Sequence, residues 1–195
     1  INDEDNTTPY GNRSLDIIVA PWPWVKLGTG KFRDDYLCSM FNGGNPEIEV
    51  TIHGHKSKKG IYMIEEMYGW PLLTEFFGGS QEEIESQVKL TYTPVNITID
   101  CSDPTKVVMP RQFTGIIDQD PSYGNYEIAM LTGGEGTLVN GVITFPQEAL
   151  AFVCGAGSLK ANKSGLFRIL LPGAELTDYT LSAVYDGMKV SADGE

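Results

Sequence analysis

Apolar and polar positions alternate with a period of two over much of this chain. Ile48, Val50 and Ile52 alternate with Glu49, Thr51 and His53, the pattern of a strand with one buried face. Ile97, Ile99 and Cys101 alternate with Thr98 and Asp100 in the same way. Further apolar runs predict strands at 16–20, 31–41, 61–68, 88–92, 106–109, 113–117, 126–131, 138–145, 150–154, 166–171 and 179–185. Short clusters of Gly, Pro, Asn, Asp and Ser stand between them, at the spacing of a sandwich or barrel.

Helical signals are few. Ser80 and Glu83 match a capping box, and Ile84 and Val88 follow on one face, so a short helix is expected there. Leu72–Phe77 fits a helical turn or a strand equally well. Pro21-Trp22-Pro23-Trp24 cannot be helical and reads as an edge or crossing segment. Gly28-Thr29-Gly30-Lys31 reads as a turn. It is not a phosphate loop, because Val25 and Phe32 stand where that motif needs Gly and Ser or Thr. Ser57–Ile64 and Asn162–Ile169 echo each other as a basic turn, a glycine and an aromatic-containing strand. Thr93-Pro94 interrupts the strand pattern.

The expected fold is therefore all-β, of immunoglobulin-like β-sandwich architecture, with at most one short helix. Two small lobes, 12–95 and 96–195, are expected behind a flexible leader at 1–11, with a single larger β domain as the alternative.

Composition supports a packed core, with 41% apolar and 10% aromatic residues. The net charge is −12, from 14 Lys and Arg against 26 Asp and Glu. That balance argues against a nucleic-acid surface, which needs cations to displace counterions, and against attraction to anionic headgroups. Cys38, Cys101 and Cys154 are far apart and lack a Cys/His cluster, so zinc has no support. They read as buried thiols, with one disulfide as the competing reading. No apolar run is long enough to span a bilayer as a helix. The polar start, INDEDNTTPYGN, has the look of a processed product with a tether.

Candidate chemistry is sparse. His53 and His55 share one strand face and could supply two metal ligands with Glu49 as a third. The isoleucines and valine claim the core side, however, so both histidines are expected to face solvent. Lys56, Lys58 and Lys59 make a basic hairpin tip, either simply solvated or contacting an anion or acidic glycan. Asp118 and Asp120, or Asp100 and Asp103, lie in loops that could hold calcium, but the first loop fails the EF-hand pattern at Tyr123 and Ala129. No serine sits in a G-x-S-x-G turn, and Glu65 and Glu66, adjacent on a strand, would point to opposite faces. The ligand candidates are Trp22, Trp24 and Trp70, with Tyr68 and Tyr10 extending a flat aromatic surface for a sugar ring or a partner. No catalytic residue, metal site or cofactor is expected.

The succession GTGKFRDDYL, IEVTIHGHKSKKGIYMIEEMYG, ITIDCSDPTKVVMP and GVITFP resembles that of secreted lipoproteins of Bacteroidetes gut bacteria. The matching positions are Gly28, Thr29, Gly30, Asp34, Asp35, Gly60, Tyr62, Tyr68, Gly69, Asp103, Pro104, Gly141, Ile143, Phe145 and Pro146. Lys59 stands where that pattern has proline, and Met63 where arginine is common. The resemblance implies a β-sandwich, a lipid-anchored precursor trimmed after its acylated cysteine, a cell-surface or outer-membrane location, and no enzyme activity. The expectation is a non-catalytic cell-surface lipoprotein that binds a polysaccharide or another surface protein. The alternative is a structural or adhesion subunit that assembles by strand-edge pairing.

Overall fold

The computed structural model describes residues 21–34, 44, 46–160 and 167–176. In chain order the strands are β1 (Trp24–Arg33), β2 (Glu47–His55), β3 (Ile61–Glu65), β4 (Leu90–Tyr92), β5 (Asn96–Asp100) and β6 (Gln112–Asp118). Then come β7 (Asn125–Met130), β8 (Thr137–Val139), β9 (Val142–Thr144), β10 (Leu150–Cys154), β11 (Gly157–Lys160) and β12 (Arg168–Leu170). They form a seven-stranded sheet ordered β5-β3-β2-β1-β12-β9-β8 and a five-stranded sheet ordered β11-β10-β7-β6-β4. Every pairing is antiparallel, and the apolar faces of both sheets share one core. The all-β sandwich expectation holds. The strand order is not the four-plus-three arrangement of an immunoglobulin constant domain.

The expected boundary at 95/96 does not separate the sheets. β5, β8, β9 and β12 from the second half complete the sheet of β1–β3, while β4 from the first half pairs with β6. Local pattern predicts strands, but it does not say which strands become neighbours. The two echoing segments contribute β3 and β12 to the same sheet.

Among the described residues two short helices stand where one was expected. α1 (Trp70–Phe77) starts behind Gly69 with Pro71 in its first turn, where proline costs no hydrogen bond. It buries Leu72, Leu73 and Phe76 and ends at Gly78 in the left-handed region, φ 70°. α2 (Gln81–Glu83) has the anticipated capping box: Ser80 Oγ accepts from Glu83 N–H, and Glu83 Oε2 accepts from Ser80 N–H at 2.8 Å. It widens at once into a π turn, Ile84–Val88, closed by Lys89 at φ 65°. Ser80→Ala removes the Oγ acceptor of Glu83 N–H and the Oγ–H bond to Glu83 Oε2 at 3.0 Å, and is expected to cost about 1 kcal/mol in urea unfolding.

Two further expectations change. Gly28-Thr29-Gly30 is not a turn but the middle of β1, with a bulge between Lys26 and Gly28. The run 138–145 is not one strand but the β8–β9 hairpin, turned by Asn140 at φ 50° and Gly141 at φ 79°. Asn-Gly is the residue pair that a two-residue hairpin turn favours, because both positions need positive φ. The predicted strands at 16–20 and 179–185, residues 35–41 of the run 31–41, the leader with Tyr10, and Cys38 lie outside the described residues. Cys101 is buried and Cys154 half-buried, and neither is in a disulfide.

Candidate functional site

The sequence candidates do not form one platform. Tyr68 is fully buried, its ring edge-on to Phe32 at 5.5 Å and to Phe152 at 5.6 Å. It is a core residue and presents no surface to a ligand, which corrects its place among the binding candidates. Trp70 opens α1, past the end of β3 remote from the 56–60 turn. It is half-buried against Tyr92 at 6.3 Å.

Trp22 and Trp24 do belong together, at the opposite end of the larger sheet. Trp24 pairs across the ladder with His55, and the two rings meet edge-on at 5.1 Å. Lys56 fastens the preceding segment to the hairpin tip. Its backbone N–H donates to Pro23 O at 2.8 Å and its Nζ to Trp22 O at 2.7 Å. Trp22 is left 59% exposed beside two prolines that restrict its backbone. A large apolar ring held out in water on a restrained segment is the arrangement in which a sugar face or a partner can be met at little entropic cost.

The histidines have different work. His55 Nδ1 accepts from the backbone N–H of Ser57 at 3.2 Å and of Lys58 at 3.1 Å, closing the turn that presents the lysines. His53 was expected in solvent and is buried instead. It lies across the ladder from Lys26 and Met63, and its Nε2 meets Glu65 Oε1 at 2.6 Å. The outward face of this strand is therefore covered at His53, where alternation alone predicts exposure. Among the described residues no group of three or more His, Cys, Asp or Glu side chains is placed to hold a metal ion.

The calcium candidates each turn one carboxylate oxygen to their own loops. Asp118 Oδ1 accepts from Asp120 N–H, and Asp120 Oδ1 accepts from Ser122 N–H and Oγ–H. Asp100 and Asp103 bind Ser102 and Thr105 in the same manner. The hydrogen bonds from Thr105 hold Asp103 below the usual carboxylate range.

A cavity that the sequence did not announce lies on the other flank of the lysine tip. It measures about 320 Å³ and is lined by Lys59, Gly60, Tyr62, Cys101, Ser102, Pro104 and Leu138. Gly60 makes its shape possible. Its φ is +81°, and a Cβ there would lie 2.7 Å from Cys101 O. The walls are uncharged apart from Lys59: burial, with the nearby Asp100 charge, pushes the Cys101 thiol up to about 12, and burial raises the Tyr62 phenol. The cavity joins residues from three separate stretches of chain, which no local motif could reveal.

A second cleft, about 280 Å³, lies where β2 runs on past β3 and is lined by Ile48–Thr51, Glu65, Glu66 and Pro71. Its Glu65 is engaged by His53, and Glu66 takes φ 42° in the turn that leads to α1. No helix among the described residues is long and apolar enough to cross a membrane.

No family model matches this chain, and comparison with curated proteins and with solved structures gives no match either.

Proposed function

We propose that this protein is a non-catalytic, lipid-anchored cell-surface protein of the kind its sequence resembles, and that it binds glycans through the Trp22–Trp24 end of its larger sheet. The observation that carries the reading is Trp22, 59% exposed, on a segment tied to the hairpin tip by two hydrogen bonds from Lys56. An indole face in that position packs on the apolar face of a sugar. Native affinity electrophoresis against neutral and acidic polysaccharides tests it, with Trp22→Ala/Trp24→Ala beside the wild type. Retardation by a polysaccharide, lost in a double variant of unchanged circular dichroism, is expected. Retardation that survives the double change would move the site elsewhere, and none with any polymer would sink the glycan reading. Incubation with the retarding polymer is expected to release no reducing ends, and release would overturn the non-catalytic reading.

One observation favours the assembly alternative. Of β1 only Lys31–Arg33 pair with β12, Pro172 then lies against Gly28, and no described strand borders Trp24–Leu27 on that side. Val25 and Leu27, each 48% exposed, lie in this stretch. An open strand edge with apolar side chains is a template for another chain. Under this reading sedimentation becomes concentration-dependent and Val25→Lys/Leu27→Lys abolishes the dependence.

A further inference from the structure

The lysine tip is the feature that the charge balance of the chain least explains. Acids outnumber bases 26 to 14, and several other described cations are matched. Lys31 and Arg168 both reach Glu47, and Arg111 reaches Glu127. Lys56, Lys58 and Lys59 are exposed, and no described carboxylate is paired with any of them. The partner of Lys56 Nζ is a neutral carbonyl, so its charge stays uncompensated. Asp100 and Asp103, on either side of the cavity residues Cys101 and Ser102, are turned to Ser102 and Thr105, and Lys106 offsets Asp103. The turn itself is fixed by His55, so the ammonium groups are presented on a defined loop rather than a loose one.

The tip has an aromatic neighbour on each side. Trp22 and Trp24 flank it from β1, and Tyr62 lines the 320 Å³ cavity toward β5. That volume lies at the lower end of small-ligand pockets, about 300–1,000 Å³. From β1 to β5 is three interstrand steps, about 14 Å, the reach of a short oligosaccharide rather than one ring.

We infer that this end of the sheet binds an anionic glycan, with one ring in the cavity against Tyr62, its carboxylate or sulfate at Lys59, and the next residues crossing Lys58 and Lys56 toward Trp22. The inference rests on the glycan-binding reading and adds the sign of the ligand's charge and its path. General attraction of a polyanion is opposed by the net charge of −12, so binding of one requires a local basic site.

Titration calorimetry on the full chain tests this with three sets of oligosaccharides: polygalacturonate fragments with carboxylates only, dextran sulfate fragments with sulfates only, and neutral xyloglucan fragments. One acidic set is expected to bind, and which one does assigns the anion. Lys58→Ala/Lys59→Ala is expected to weaken it at least about tenfold, as loss of hydrogen bonds to a charged group does, and added salt to weaken it further. Leu138→Trp, which crowds the cavity and leaves every charge in place, is expected to weaken it to a similar degree. Binding of neutral fragments alone would overturn the anionic ligand and leave the glycan reading standing. Acid binding indifferent to the lysine change would overturn the tip as its site, and indifference to Leu138→Trp would remove the cavity from the path. Heat with no fragment at all would overturn this inference together with the reading beneath it.

Discussion

Phe32→Ala is expected to lower the free energy of unfolding by about 3–5 kcal/mol, the usual cost of emptying a buried aromatic site. Phe32 is fully buried on β1, and its ring meets Tyr68 and Phe167 edge-on, each at 5.5 Å. Phe167 continues to Phe145 at 5.5 Å, and Tyr68 continues to Phe152 at 5.6 Å. Phe152 belongs to β10 of the smaller sheet, so this chain of rings ties one sheet to the other. The hole cannot close by small shifts, because β1 is fixed on both sides by Ile48 of β2 and Ile169 of β12. Domains of this kind have about 5–15 kcal/mol in total, so the variant should lie close to the threshold of folding. Urea unfolding followed by tryptophan fluorescence reads the loss as a lower midpoint with an unchanged slope. A loss below about 1 kcal/mol would mean that the site collapses freely and that these rings do not join the sheets.

Strand existence was legible because a half-buried strand writes its two faces into alternate residues. β2 shows this directly: Ile48, Val50 and Ile52 are buried, while Glu47 and Glu49 are exposed. The capping box at Ser80 was legible for a similar reason, since its whole mechanism fits within four adjacent residues. What could not be read was which strands meet. β12 reaches β1 across most of the chain, and nothing in residues 168–170 names that partner. The β8–β9 hairpin carries its signal in Asn140-Gly141, but apolar residues on both sides of that pair make 138–145 read as one continuous strand.

The site was legible only in part. Pro21 and Pro23 marked a non-helical segment holding two tryptophans, and Lys56, Lys58 and Lys59 marked a basic turn, all from local sequence. Their meeting through Lys56 and Trp22 is a contact between distant segments, and so is the Tyr62–Leu138 cavity. Tyr68 misled because an aromatic beside glycine reads equally as a turn-borne surface ring or a core ring. Burial decides between them, and burial depends on what packs above. His53 misled for the complementary reason. Alternation predicts the face a side chain takes, not whether that face is covered.

Gly30→Ala is expected to cost about 3 kcal/mol, at the upper end of what one inserted carbon does in a packed interior. A Cβ on Gly30 would lie 2.3 Å from Leu170 O and 2.4 Å from Ile52 Cδ1. The methyl of Ile52 can rotate away, but the carbonyl belongs to β12 and can move only if the pairing of Lys31 with Leu170 opens. Gly54→Ala is the control, because Gly54 sits on the neighbouring strand β2 and the nearest atoms a Cβ there would meet belong to the side chain of exposed Leu27, at 3.2 Å and beyond. Both changes bring the same gain from a stiffer unfolded chain, about 0.4–1 kcal/mol, so their difference isolates the clash with β12. Gly54→Ala should stay within about 0.5 kcal/mol of the wild type. Amide exchange should show β12 losing protection in Gly30→Ala while β2 and β3 keep theirs. Equal costs for the two substitutions would mean that β12 is not held against β1 in this register. The seven-stranded sheet would then divide between β1 and β12, which is one of the junctions, with β3–β5 and β4–β6, that unite the two halves of the chain.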